Sequence, residues 1–374
     1  MNSPSEAPPS RIVSLDQFRG YTIAGMFLVN MVGGYACMHP TFGHHGNYFS
    51  YADTIMPQFF FAVGFAFRFT FGRTVEKLGV GAAYRKAIKR NLGLILFGSV
   101  YYGFGSRYGS WAELQAAGLG AYFSPSIWGS VFQALVHIGC TGLWLVPVIA
   151  ASTGGLALFM AFTGALHLLL VYVFYAAWAS HSGITDGGPL GFMSWAIPTL
   201  AGALACDWMR NRGPGRALLP ILGWGAVLSL LGYGMSCLTA VHQAMNGQTT
   251  AQGWGRWLVE PPFVPASLSS DIWTMSQPMA SVSYMTFGAG FCLVLYAVFV
   301  IACDLLPLRL GVFRTLGTNA LAAYLIHNVV DSALTPYMPN DAPLWYTLAG
   351  FSVFFGLCYL FLRFLEKNKL FLKL

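Results

Sequence analysis

Long apolar runs alternate along the chain with short polar links, and the runs are too long for ordinary soluble strands. Wound as α-helix, a run of about 20 apolar residues matches the hydrocarbon thickness of a bilayer. Such runs fall at 18–35, 52–71, 92–104, 128–149, 155–177, 192–208, 218–241, 279–303, 312–330 and 344–365, which predicts about ten spans. The third is short. The mixed segment 111–126 reads as an interfacial or re-entrant piece, and counting it makes eleven. Ser14 followed by Gln17 is a capping-box pattern and predicts a helix start near Leu15. Residues 1–10 form a polar tail without the basic start and apolar core of a signal peptide, so the first span is expected to direct insertion itself. The longest polar connector is 242–277, and 38–51 holds a cluster of histidines. No repeat or composition break divides the chain. It reads as one domain, 1–374, an all-α polytopic membrane helix bundle.

Composition strengthens that picture. Hydrophobic residues make up 56% and charged residues 9%, against roughly 25% charged in soluble domains. The net charge of +7 raises the question of nucleic acid, but the positions of the charges answer it. With a cytoplasmic N-terminus and ten spans, every Lys and Arg except Arg107 and Arg256 falls on the inner side. The basic residues then act as topological determinants, and nucleic acid is excluded as a partner. This partition predicts both termini inside and the segments 38–51 and 242–277 outside. The 7 cysteines are scattered without C-x-x-C spacing, which argues against a disulfide framework and a zinc site.

The same topology puts unusual polar residues at one depth. Asn30 lies in the outer half of the first span; His39, His44, His45 and Asp53 lie at the outer mouth. Gln133 and His137 enter in the fourth span, and His327, Asn328 and Asp331 in the ninth. Singly, each has a structural explanation: Asn30 as an interhelical hydrogen bond, His137 as a core histidine, Asp53 as a helix cap. A shared depth favours a site, because independent structural roles do not require one level. Ionisable groups are costly inside a membrane, and histidine is suited to moving protons near neutral pH. The histidine pair has no further ligand at helical spacing, so no metal is expected. At the inner face, Arg11, Arg19, Lys86, Arg90 and Arg210 combine a topological role with the capacity to bind phosphates.

Several motifs carry a family resemblance. They are R-I-V-S-L-D-Q-F-R-G at 11–20, F-L-V-N-M-V-G-G at 27–34, A-D-T-I-M-P-Q-F-F-F-A-V-G at 52–64 and V-F-Q-A-L-V-H-I-G at 131–139. I-W-T-M-S-Q at 272–277 and L-G-T-N-A-L-A-A-Y-L-I-H-N at 316–328 complete the set. In this order, over nearly the whole chain, the sequence resembles the transmembrane N-acetyltransferases related to heparan-α-glucosaminide N-acetyltransferase and their bacterial homologues. The resemblance implies transfer of acetyl from cytosolic acetyl-CoA, a co-substrate, to an amino sugar or glycan across the membrane. It implies the plasma membrane of a bacterium as location. The family's active histidine carries over to His44 or His45, and its span asparagine to Asn30. The loop H-H-G-N-Y-F-S-Y-A-D departs from the family, which has a single His with a Trp and a Gly at longer spacing. The choice of histidine and the acceptor therefore stay open. No counterpart of the lysosomal enzyme's luminal N-terminal domain is present, so heparan itself is not implied.

On the enzyme reading, His44 or His45 accepts the amine proton or forms an acetyl-histidine, and Asp53 orients one imidazole. Asn30 donates to the developing oxyanion. His137, His327, Asn328 and Gln133 are candidate substrate-binding groups, and Arg11, Arg19, Lys86, Arg90 and Arg210 candidate acetyl-CoA contacts. The competing readings are an O-acyltransferase of surface polysaccharide and a glycolipid transporter or flippase. The absence of an inverted repeat weighs against the transporter. A homodimer is compatible with the sequence and is not required by it.

Overall fold

A computed structural model describes residues 12–103, 109–118, 125–179, 184–247 and 253–372. Arg11, a candidate phosphate ligand, and Arg107 lie outside them. Among the described residues the fold is all-α. In chain order the helices are α1 (Val13–Val32), α2 (Tyr51–Leu78), α3 (Val80–Tyr102), α4 (Trp111–Ala117), α5 (Pro125–Val131), α6 (Ala134–Leu145) and α7 (Thr153–Leu170). There follow α8 (Ala176–Ala179), α9 (Phe192–Met245), α10 (Val282–Phe299), α11 (Gly311–Thr318), α12 (Ala320–Leu334) and α13 (Leu344–Lys367). The expected capping box is absent: α1 starts at Val13 with no side-chain cap. Ser14 Oγ instead lies 3.0 Å from the Tyr296 hydroxyl. Gln17 clamps the backbone of Leu310, donating to its carbonyl at 3.1 Å and accepting from its N–H at 2.9 Å. Both residues were drawn into contacts with distant segments, which a local pattern does not encode.

Among the described residues, five helical stretches are long and apolar enough to cross a membrane: Tyr51–Leu78, Thr153–Tyr175, Gly188–Met245, Val282–Leu305 and Leu344–Lys367. The expectation was about ten, and the shortfall has local causes. Asp16, Gln17, Arg19 and Asn30 dilute α1, and Arg85, Lys86, Lys89 and Arg90 load the first half of α3. The run 128–149 breaks at Gln133, which caps α6. The run 312–330 breaks at Asn319, whose φ −122°, ψ 54° is not helical. Conversely, two expected spans run together in α9, interrupted only by non-helical backbone at Gly213 (φ 72°, ψ 166°). Many large apolar side chains face outward, among them Leu158, Phe162, Leu219, Leu230, Leu360 and Phe364. Apolar flanks of this extent are consistent with an integral membrane protein.

Inside, two large apolar clusters form among the described residues. One centres on α2, α9 and α10, around Phe60, Phe61, Phe65, Trp195 and Tyr296. The other joins α1, α12 and α13 around Phe27, Ala323 and Phe354. Phe60 and Trp195 stack at 4.5 Å, a geometry worth about 1 kcal/mol beyond burial. α2 and α9 approach closely enough that a Cβ at Gly64 would overlap the Thr199 carbonyl, and one at Gly202 that of Phe61. Small residues permit such contact between apolar helices. The same interface holds an ion pair: Arg68 Nε and Nη2 meet Asp207 Oδ1 and Oδ2 at 2.8 and 3.0 Å. Arg68 also donates to the Ile149 carbonyl, and Thr153 Oγ1 donates to Asp207 at 3.2 Å.

Candidate active site

The site begins in the loop between α1 and α2. His39 Nδ1 accepts the Thr41 N–H at 3.2 Å and opens a short 3-10 turn, Pro40–Phe42. Ser50 then caps α2: its Oγ accepts the Asp53 N–H at 3.3 Å, and Asp53 Oδ2 accepts the Ser50 N–H at 3.0 Å. This capping box fixes the Asp53 carboxylate at the helix start. Its other oxygen, Oδ1, lies 3.0 Å from His44 Nδ1. Asp53 is 1% exposed, whereas the His44 side chain is 48% exposed. The Tyr284 hydroxyl donates to the Asp53 carbonyl at 2.7 Å and pins the residue from α10. A carboxylate accepts only, so Nδ1 must carry the proton and Nε2 has the lone pair. Burial pulls the His44 imidazole down, but the Asp53 hydrogen bond and charge, with Asp186 and Gln277, outweigh it. The net result lies above the ordinary 6.5.

The second histidine is engaged differently. His45 Nε2 donates to the Pro40 carbonyl at 2.7 Å, and its ring stacks on Tyr48 at 4.3 Å. It braces the loop. Among the two, His44 has the geometry of a base oriented by a carboxylate.

Asp186 and Gln277 join this group, and neither was singled out as a site residue from the sequence. Gln277 Nε2 donates to Asp186 Oδ1 at 3.1 Å. Asp186 is 8% exposed. Burial pushes its carboxyl up to about 6, against the lowering pull of Gln277 and His44. Trp195 Nε1 donates to the Asp186 carbonyl at 3.0 Å, and the Gly187 N–H to the Pro278 carbonyl at 2.8 Å. The loop before α9 is thereby stitched to the segment before α10. The available signal was the T-D-G-G turn at 185–188 and the Gln that closes I-W-T-M-S-Q.

The remaining candidates have surroundings of their own, apart from the His44 hydrogen bonds. Asn30 Nδ2 lies 3.1 Å from His327 Nε2, with Phe27 stacked on the His327 ring. Asn30 is thus bonded to α12, not to the histidine loop. Asn328 donates to the Tyr101 hydroxyl at 2.7 Å. Gln133 donates to the Ser130 carbonyl at 3.2 Å. His137 is fully buried between Phe132 and Trp195, against Gly191, and neither ring nitrogen has a hydrogen-bond partner among the described residues. It is enclosed by packing, which leaves it no exposed face for a substrate.

A cavity of about 400 Å³ lies along the seam between the two apolar clusters. Arg19 of α1 and Arg90 of α3 line it, and their charges repel each other. Tyr324 lines it further along α12, its hydroxyl 2.7 Å from that of Tyr102. The Asp186 charge is felt at both tyrosines. A smaller crevice lined by Lys86 and Asn91 shares Ala66 and Arg90 with the cavity. Of the expected phosphate ligands, Arg19, Lys86 and Arg90 therefore gather in one region. Arg210 does not: it pairs with Glu76 at 3.1 Å. Among the described residues no group of three or more His, Cys, Asp or Glu is placed to hold a metal. No protein-family model matches the chain, and no curated protein matches it.

Proposed function

We propose that the protein is an integral membrane acyltransferase of about ten spans that moves acetyl from cytosolic acetyl-CoA to the amino group of a sugar on the opposite side. One observation carries the reading: His44 Nδ1 is tied to buried Asp53 at 3.0 Å while its side chain stays half exposed. Such a pair fixes the tautomer and leaves Nε2 to take a proton from an acceptor. The proton then passes to the departing thiolate. Asn30 has a second amide hydrogen beyond the one given to His327, and it is assigned to the developing oxyanion.

The cavity supports the donor half of the reading. Its apolar walls suit an extended thioester arm, and Arg19, Arg90 and Lys86 suit the phosphates of the CoA head. The basic end is assigned to the cytoplasm by the positive-inside rule, with both termini on that side in a bacterial plasma membrane. The test incubates purified protein with isotopically labelled acetyl-CoA and a surface-glycan pool, then locates label by mass spectrometry. Label on sugar amines with wild-type protein, and none with His44→Ala, is the expected result. Label absent from every glycan, or undiminished in the variant, overturns the proposal.

A further inference from the structure

We infer that Asp186 selects the acceptor, its carboxylate holding a cationic amine beside His44 in preference to a neutral hydroxyl; this rests on the acyl-transfer reading. The first argument is an excess of acceptors. Asp53 spends both carboxylate oxygens on Ser50 and His44. Among the described residues Asp186 accepts one side-chain bond, from Gln277 Nε2. Because Asp186 only accepts, Gln277 must turn its nitrogen to it, and its buried Oε1, which makes no well-formed hydrogen bond among the described residues, is left on the side of His44, which feels it. The complement to a carboxylate and an amide oxygen side by side is a ligand with several N–H donors. An ammonium has three.

Charge points the same way. The titratable groups near enough to feel the Asp186 charge are His44, Asp53, Tyr102, Tyr284 and Tyr324. Two carboxylates thus stand against one imidazole, and the tyrosines are neutral. A bound cation relieves this imbalance; a hydroxy sugar does not. The backbone adds a third observation. Asp186 has φ 55° and precedes Gly187 (φ 78°) and Gly188 (φ 56°), a left-handed run that is unusual for a residue with a side chain. Asparagine tolerates that conformation and would keep the Gln277 bond through its carbonyl, so charge is the property that Asp186→Asn removes.

In the reaction, Asp186 holds R–NH₃⁺ and His44 Nε2 removes one proton. The amine lone pair forms the C–N bond to the thioester carbonyl, and the C–S bond breaks. The imidazolium protonates the thiolate, and the second amine proton leaves to solvent. One proton is released per acetyl transferred.

The experiment compares wild type, Asp186→Asn and Asp186→Glu with glucosamine and glucose as probes, and follows acetyl-CoA hydrolysis without acceptor. We expect Asp186→Asn to raise KM for glucosamine by about 10- to 100-fold, a larger effect than the change in acceptor-free hydrolysis that follows from removing the Asp186 charge beside His44. Asp186→Glu should recover part of the loss. An unchanged KM in Asp186→Asn, with hydrolysis still dependent on His44, overturns the inference and leaves the acyltransferase reading standing. Hydrolysis and transfer that ignore His44→Ala overturn both. Should Asp186→Asn fail to fold, wild-type melting decides: glucosamine should raise the melting temperature near pH 7.5 more than glucose does. The difference should shrink near pH 5, where Asp186 gains a proton and His44 is charged. Equal shifts for the two sugars at pH 7.5 overturn the inference.

Discussion

At the scale of single residues, the two adjacent histidines do different work because each nitrogen meets a different acceptor. His44 faces a buried carboxylate, and His45 faces a backbone carbonyl. His44→Ala is therefore expected to lower kcat/KM by about 10²- to 10⁴-fold without loss of fold. His45→Ala should instead reduce stability by about 1–2 kcal/mol, through the lost hydrogen bond and stacking, with turnover within about tenfold. Acetyl transfer assays and thermal melting of both variants check this, and a reversed pattern would assign the base to His45. The pH profile carries a second expectation. The neutral imidazole is the active form, and the His44 value lies above 6.5, so kcat/KM should fall as pH drops through a point above 6.5. Asp53→Asn removes the interactions that oppose burial, so the limb should move to lower pH while the plateau falls. A limb that stays in place would separate Asp53 from the base. The residues H-H and D were visible in the chain, but their division of labour was not. It depends on where Asp53 Oδ1 and the Pro40 carbonyl sit in space. Asp186 was harder still to see, since a T-D-G-G turn occurs in many loops for conformational reasons alone.

At the scale of elements, hydropathy located nearly every long helix, because a run of apolar side chains reports burial or lipid contact directly. It missed the interruptions at Gln133 and Asn319, where a polar residue ends one helix and caps or begins another without any proline signal. It also set 192–208 and 218–241 apart as two spans, where the backbone leaves the helix only at Gly213. Arg68 is the clearest case of a residue whose meaning changed. From the sequence it counted among the inner-side charges; in the fold it forms a two-pronged pair with Asp207 of α9. The side chains are only 17% and 9% exposed, so removal of one partner leaves a buried charge. Asp207→Ala is expected to cost about 3–5 kcal/mol. Replacing both by apolar residues of similar size should recover much of that loss. Melting in detergent of the two single variants and the double variant tests this. Additive losses would mean that the pair contributes no coupling.

At the scale of the whole molecule, the two ends of the bundle differ in charge, and the cavity runs inward from the basic one as far as Met56, Leu135 and Tyr324. Arg19, Lys86 and Arg90 gather towards the end formed by the start of α1 and α3, where the chain terminus also contributes Phe371 and Leu372 to the cavity wall. The His44 group lies at the other end, where the loop after α1 meets those before α9 and α10. Along α1, Arg19 and Asn30 are separated by about 16 Å of helix rise, which an extended arm must cover. A polyanionic donor placed at the His44 end would sit beside Asp53 and Asp186, both of which repel phosphates; at the other end it meets guanidinium groups. Two outcomes are expected from this polarity. Arg90→Glu should raise KM for acetyl-CoA by about tenfold or more, as loss and reversal of a charged contact implies, with the KM of the acceptor little changed. Oriented proteoliposomes with the acceptor on the side of the histidine loop should show acetylation only when acetyl-CoA is on the opposite side. A cysteine at position 47, labelled with an impermeant maleimide, reports which way each preparation faces. Equal rates with donor and acceptor confined to one side would mean that the cavity does not carry the acetyl group across the membrane.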